Sequence, residues 1–279
     1  MRFMNRNRNN EPLSNEQIQK LAPSAFAGQP HESRSNRYTF IPTSDVIEGL
    51  RQAGFSPVSA MQSTSRIAGK EFFTKHMIRF RSPETNLTQV GDTTVEAILM
   101  NSHDGTSQYT IALGAFRLAC LNGLIVSEGF AESIKVRHTG NIIERVIEST
   151  HSLIQMAPKV ITAIREWKQI LLSNDEQLLL AQAALDVRFE DNPPVTADRL
   201  LVAHRNADVP NDLYTVFNRI QENVVRGGLR YETPSLPQGN GGYSIPRKNR
   251  TREVKGIDQN TRLNRALWTL AEEMAKLKQ

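Results

Sequence analysis

Basic residues two positions apart are the clearest chemical feature of this sequence. Arg79 and Arg81 lie in the segment KHMIRFR, and Lys135 and Arg137 lie in the segment SIKVRH. Because side chains alternate between the faces of a β-strand, each pair lies on one face of its strand. If both strands belong to one sheet, the four cations form a strip that suits the phosphates of a nucleic-acid backbone. An ordinary solvated sheet face is the competing interpretation.

A second basic cluster lies between residues 245 and 255. It follows a stretch rich in Gly, Pro, Ser and Asn at residues 231–243, which is typical of a mobile loop. Such a segment predicts a flexible arm that folds on nucleic acid, although a solubilising linker has the same composition. Together with the strip and its neighbours, the predicted nucleic-acid contacts are Arg79, Arg81, Lys75, Arg117, Lys135, Arg137, Arg247, Lys248, Arg250 and Arg252.

Motifs of the common enzyme classes are absent from the sequence. There is no G-x-x-x-x-G-K-[ST] phosphate loop, no H-E-x-x-H, no G-x-S-x-G and no paired-cysteine metal spacing. Cys120 lies in a predicted buried helix and is interpreted as a small core residue. His76, His103 and His138 could converge on a metal, but their spacing shows no ligand pattern, and His103-Asp104 fits turn chemistry. The sequence therefore predicts a protein that is not an enzyme, with no catalytic residues, no metal and no cofactor.

Composition and charge place the chain among folded proteins. Hydrophobic residues make up 39% of the 279 residues and charged residues 23%, and the net charge of +5 favours a polyanionic partner only where the charge is clustered. Cys120 is the single cysteine, so no intrachain disulfide can form and a reducing compartment is expected. The basic start lacks an apolar stretch, and no apolar run is long enough to span a membrane. We expect a cytoplasmic protein without membrane contact.

A β-hairpin organises the centre of the chain. The apolar runs 95–100 and 109–113 flank an Asp-Gly pair, which is a strong hairpin signal. Upstream, residues 42–45 are predicted to cap a helix over residues 45–53. The surrounding pattern predicts, in chain order, strand 55–63, strand 73–81, helix 115–121, strand 124–126 and strand 133–138.

Helical patterns dominate the rest of the chain. An apolar seam with alternating spacings of three and four runs over residues 141–172, and Pro158 predicts a break near Ala157. Further helices are predicted over residues 174–189, 196–204, 212–225 and 258–278. The fold class is therefore α+β: an antiparallel sheet with packed helices, arranged as a β-β-β-α-like core, plus a C-terminal helical region. The predicted organisation is an N-terminal arm and short helix (1–36), the sheet core (37–140), a helical region (141–230), and a flexible basic loop with the last helix (231–279).

Several stretches resemble a known family. They are LAPSAFAGQPHESRSNRYTFIPT, KHMIRFR, NSHDGTSQYTIALGAFRLACLNGL, VRHTGN and TREVKGIDQNTRLNRALWTLAEEMA, and the resemblance covers nearly the whole chain. The family is a phage- and plasmid-borne domain of unknown function, number nine-three-two. The resemblance implies a mobile-element context and supplies no catalytic residues. The order of helix, antiparallel strands and long helix is also similar to the core of single-strand-annealing recombinases of the Rad-fifty-two and Red-beta type, a likeness of fold alone.

These observations favour a single-stranded DNA-binding protein of a phage or plasmid. It would act as a homo-oligomer, a ring or filament, in the host cytoplasm, and it is a candidate single-strand-annealing recombination protein. The alternative is a phage or plasmid protein that binds and inhibits a host defence or restriction factor. An enzyme with an unrecognised site is a third interpretation, which a deep pocket or a bound metal around His76, His103 and His138 would favour.

Overall fold

The computed structural model describes residues 11–32, 40–65, 67–117, 123–125, 133–136, 141–190, 192–233 and 247–278. The chain divides into two compact units. Unit 1 comprises Met1–Ile164 and Lys255–Thr261, and unit 2 comprises Arg165–Val254 and Arg262–Gln279.

Unit 1 is built on an antiparallel sheet. Its central order is β1-β2-β4-β5-β6, while β3 pairs with β4 and β7 pairs with β5. The strands are β1 Ser56–Gln62, β2 His76–Arg81, β3 Gln89–Val90, β4 Thr93–Asn101, β5 Tyr109–Arg117, β6 Gly123–Ile125 and β7 Ile134–Val136. The α+β class and the central β4–β5 hairpin predicted from the sequence are confirmed.

The helices of unit 1 follow local sequence signals. They are α1 Asn15–Leu21, α2 Thr43–Gln52, α3 Thr85–Thr88, α4 Ile142–Ile154 and the start of α5 Ala157–Trp167. Ser14 caps α1 by accepting a hydrogen bond from the Gln17 amide, at 3.2 Å. The predicted break near Ala157 is confirmed, because α4 ends at Ile154 and Pro158 lies in the first turn of α5, where proline is tolerated.

Both faces of the central strands are buried. On one face β4 and β5 pack against α4, which in turn packs against α2. The opposite face carries Ile98, Met100 and Phe116, which pack with Ile257 at the start of the last helix. All nine residues of β4 are buried as a result.

The buried faces explain one wrong prediction. Residues 115–117 extend strand β5 instead of starting a helix, and the rest of the predicted helix 115–121, including Cys120, lies outside the described residues. A strand that is buried on both sides carries apolar residues on both of its faces, so its sequence loses the alternation of apolar and polar residues. The predicted strand 73–81 is also shorter in the structure, because β2 begins only at His76.

Unit 2 is mainly helical. It contains α6 Asn174–Phe189, α7 Leu213–Arg226 and most of α8 Ile257–Leu277, with a two-stranded hairpin formed by β8 Arg230–Thr233 and β9 Arg247–Arg250. Its core includes a cluster of three aromatic rings, in which the ring centroid of Trp167 lies 4.6 Å from that of Trp268 and 5.9 Å from that of Phe217. The segment 196–204 forms a short 3₁₀ helix, Ala197–Leu201, instead of the predicted longer helix. None of the described helices combines the length and the apolar character that a membrane span requires.

Candidate nucleic-acid interface

Two arginines of the predicted strip share one buried carboxylate. Arg79 and Arg81 alternate with buried residues on β2 and lie on one face, as their spacing predicts. Glu96 on β4 is completely buried between them: the Arg79 guanidinium lies 2.6 Å from Oε2 and the Arg81 guanidinium 2.8 Å from Oε1. Arg79 also stacks on the ring of Phe116, at 3.4 Å. Burial lowers the pKa of Arg79, and the charge of Glu96 opposes that shift. Much of the positive charge is therefore neutralised within the protein.

Two of the other sheet cations are paired, and the strand registers place Lys135 on the same sheet face as Arg79. Lys75 lies 2.6 Å from Asp258, and Arg117 lies 2.7 Å from Asp92. The register pairs Arg117 with Thr93, which lies on the opposite face from Glu96. Lys135 on β7 is exposed, and Arg137 lies outside the described residues. The described residues thus do not present the predicted strip as a row of free charges.

The β8–β9 hairpin has a different charge arrangement. In the register, Arg230 lies opposite Arg250 and Glu232 lies opposite Lys248. Like charges directly opposite each other destabilise a hairpin, so the Arg230–Arg250 pair lowers the stability of this one. The exposed cations of the hairpin and its exit are Arg230, Arg247, Lys248, Arg250 and Arg252. Within the part of the chain that the structure describes, none of these five forms an ion pair.

The hairpin is anchored at its base. After α7 the backbone turns at Gly227 and Gly228, both of which have positive φ, and the Gly228 amide donates to the Thr251 carbonyl at 2.8 Å. The Thr251 amide donates in return to the Leu229 carbonyl, and the buried Thr251 hydroxyl accepts from the Leu229 amide. Residues 247–250, which were predicted as part of a mobile arm, form strand β9 because β8 supplies their backbone partners. Most of the predicted loop 231–243 lies outside the described residues.

A second candidate site is a buried polar cluster in unit 1. The hydroxyl of Thr43 lies 2.9 Å from Nε2 of His76, 3.1 Å from Nε2 of His103, 3.2 Å from Nδ2 of Asn101 and 3.2 Å from the hydroxyl of Tyr109. Each of these five side chains is fully buried. Helix α2 begins at Thr43, earlier than predicted, and this side chain serves the cluster instead of capping the helix.

The chemistry of the cluster is that of a hydrogen-bond network. A hydroxyl has one proton and two acceptor positions. The Asn101 amide takes one acceptor position of Thr43, which leaves one proton and one acceptor position for His76, His103 and Tyr109, so at most two of these three groups bond to the hydroxyl at one time. Burial, with a smaller contribution from neighbouring His103, lowers the pKa of His76 to about 3. Among the described residues, no three His, Cys, Asp or Glu side chains are placed to hold a metal, and we interpret the cluster as structural.

Sequence reasoning found only part of this cluster. His76 lies on the same strand face as Ile78 and Phe80, and this polar residue on an apolar face is the sequence signal that indicates a buried polar cluster. The proposed convergence of His76 and His103 is observed, with ring centroids 5.3 Å apart, while His138 lies outside the described residues. Asp104 does show turn chemistry, because its carboxylate accepts from the Thr106 amide at 3.0 Å.

The fold and the site together define an α+β protein with an antiparallel sheet unit and a helical unit that carries an exposed basic hairpin. The chain belongs to the family described as Domain of unknown function (DUF932), whose model matches residues 30–268. It is similar to two proteins of Escherichia coli (strain K12), UPF0380 protein YafZ and UPF0380 protein YfjQ. Each is 41% identical over 268 residues, which cover 96% of this chain and 93% of the relative. No solved structure matches this chain.

Proposed function

We propose that this protein binds single-stranded nucleic acid, with DNA as its partner, through the β8–β9 hairpin. The observation that carries the proposal is the set of five exposed hairpin cations, none of which forms an ion pair within the described residues. Binding requires no chemical step, so the proposal describes a protein that is not an enzyme.

The contrast between the two basic regions supports the choice of the hairpin. Arg79 and Arg81 both form ion pairs with Glu96, so a phosphate would have to compete with a carboxylate at hydrogen-bond distance. Glu232 lies opposite Lys248, but neither Lys248 nor Arg250 forms an ion pair among the described residues, and Arg250 faces another arginine. Because strand residues rise about 3.4 Å each, these two cations are about 7 Å apart and can reach separate phosphates. A flexible, exposed polyanion is the ligand that this spacing favours.

The annealing role and the assembly into a ring or filament form a second layer of the proposal. They are supported by the resemblance of the strand and helix order to single-strand-annealing recombinases, which is a likeness of fold alone. Size-exclusion chromatography and electron microscopy, with and without an oligonucleotide, test this layer separately. A monomer that binds DNA would leave the hairpin proposal intact and remove the annealing role.

Fluorescence anisotropy with a labelled single-stranded oligonucleotide tests the hairpin directly. Each phosphate contact on a single strand contributes about 0.7 to the slope of log K against log salt, so the three cations on one hairpin face, Arg230, Lys248 and Arg250, predict a slope of about −2.1. Replacing Lys248 and Arg250 with glutamine should reduce the slope by about 1.4 and the affinity about 25-fold at about 0.1 M salt.

The matched control removes the same charge elsewhere in unit 2. Lys276→Gln with Lys278→Gln lowers the net charge equally. These lysines lie at the C-terminal end of α8, and Lys276 pairs with Glu273 while Lys278 pairs with Glu176. We expect the control to bind nearly as the unchanged protein does. Absence of binding at low salt, a salt-independent affinity, or equal losses in both variants would contradict the proposal. If a host protein is instead retained after nuclease treatment, and the hairpin variant loses it, inhibition of a host defence factor becomes the better interpretation.

A further inference from the structure

A groove of about 430 Å³ lies beside strand β8 in unit 2. Three successive residues of β8, Arg230, Tyr231 and Glu232, form one wall. The segment that contains Pro193 and Pro194 lines the groove as well. Pockets that hold small ligands have volumes of about 300–1,000 Å³, so this groove has room for one small organic molecule.

The lining combines an aromatic ring with two cations. Tyr231 is half-buried, while Arg199 and Arg230 are exposed, and neither arginine forms an ion pair with any residue that the structure describes. The prolines add rigid apolar surface, which costs little ordering on binding. Glu232 and Gln182 supply a carboxylate and an amide to the same groove. These are the groups that hydrogen-bond the edges of cytosine and adenine.

This set of groups matches one kind of ligand. An aromatic face stacks on a nucleobase, and an arginine binds a phosphate in a bidentate manner. Arg230 belongs to both the groove and the basic hairpin, so a chain whose phosphates follow the hairpin passes the mouth of the groove. A base that is paired in a duplex has its faces stacked on its neighbours, and only an unpaired base can enter.

We infer that the groove holds one unpaired nucleotide of a bound strand, with its base on Tyr231 and its phosphate near Arg199 and Arg230. This inference rests on the proposed nucleic-acid function and adds to it the source of single-strand preference. The hairpin supplies contacts that any polyanion satisfies, and the groove selects strands with exposed bases.

The experiment compares three ligands of equal length: a single strand, a duplex, and a single strand made of abasic sites. Tyr231→Leu keeps the apolar bulk and removes the ring, while Tyr231→Phe keeps the ring. We expect Tyr231→Leu to bind the single strand about fivefold to 150-fold more weakly, because a stacked base contributes in that range. Its salt slope should stay unchanged, since the phosphate contacts remain. Tyr231→Phe should bind as the unchanged protein does, and abasic strands should bind all three proteins equally.

A second variant keeps the test independent of the tyrosine. Arg199→Gln should lower the salt slope by about 0.7 and leave the preference for strands with bases. Thermal melting of each variant shows whether unit 2 remains folded.

The outcomes separate the two proposals. If Tyr231→Leu binds the single strand as tightly as the unchanged protein, while Lys248→Gln with Arg250→Gln weakens binding, the groove inference is wrong and the hairpin proposal stands. If abasic strands bind as tightly as normal ones, the groove inference is likewise wrong. If no nucleic acid binds at low salt, the proposed function itself fails.

Discussion

Glutamine in place of Glu96 removes one negative charge from between two mostly buried arginines. The Glu96 side chain is 0% exposed and those of Arg79 and Arg81 are each 19% exposed, so water reaches the guanidinium groups only in part. Breaking a buried ion pair by removing one partner costs about 3–5 kcal/mol. Glutamine still offers one acceptor oxygen, which places the expected loss at about 3 kcal/mol. For a chain of this size, that loss lowers the midpoint of thermal unfolding by about 6–12 °C.

Urea unfolding followed by circular dichroism measures this loss, with Glu273→Gln as the control. Glu273 pairs with Lys276, and their side chains are 58% and 67% exposed, so water replaces the lost carboxylate and we expect no measurable loss of stability. A triple variant, Glu96→Leu with Arg79→Met and Arg81→Met, should recover most of the stability because no uncompensated charge stays buried. Equal losses for Glu96→Gln and Glu273→Gln, or a triple variant as unstable as Glu96→Gln, would refute this account.

Three further predictions concern the buried cluster and the base of the hairpin. The pKa of His76 is lowered from 6.5 to about 3 by burial, so the stability that its neutral ring contributes is complete above pH 6.5 and is lost as the pH falls towards 3. Between about pH 7 and pH 5, the free energy of unfolding in urea should fall by about 2 kcal/mol less in His76→Gln than in the unchanged protein. An equal fall in both proteins would contradict this prediction. Thr43→Val leaves four polar neighbours without their shared hydroxyl and should lower the free energy of unfolding in urea by about 3 kcal/mol. The control Thr150→Val loses one hydrogen bond inside a helix and should lower it by about 1 kcal/mol. Gly227→Ala places a Cβ 2.7 Å from a backbone oxygen at a φ of +65°, and thermal melts should show a loss of about 3 kcal/mol of stability. Gly228→Ala, at a φ of +83° with no atom near the new Cβ, should lose about 1 kcal/mol. Similar losses for both variants would show that the close contact at residue 227 relaxes.

Local sequence signals predicted those elements that local interactions decide. The Asp-Gly turn identified the β4–β5 hairpin, and Pro158 identified the break between α4 and α5. Helix α6 begins after Ser173, whose hydroxyl accepts from the Glu176 amide, a capping pattern that is visible in four consecutive residues. Such features involve residues close in sequence, and they need no knowledge of the tertiary fold.

The parts that sequence reasoning missed depend on contacts between distant segments. The spacing of Arg79 and Arg81 gave their common face, but only the β2–β4 register shows that Glu96 lies between them. The opposition of Arg230 and Arg250 depends on a pairing between residues that are 20 positions apart in the sequence, which composition does not reveal. The buried run 111–117 shows no alternation of apolar and polar residues, because both of its faces are buried.

The Thr43 hydroxyl joins parts of unit 1 that are widely separated along the chain. It links α2 to β2 through His76 and to the β4–β5 hairpin through Asn101 and His103. If any one of these elements detaches, the polar groups of the others lose their partner inside an apolar interior, so opening one element alone is unfavourable. Amide protons of α2, β2 and β4 should therefore exchange with solvent in one cooperative event, which makes this part of unit 1 a single foldon.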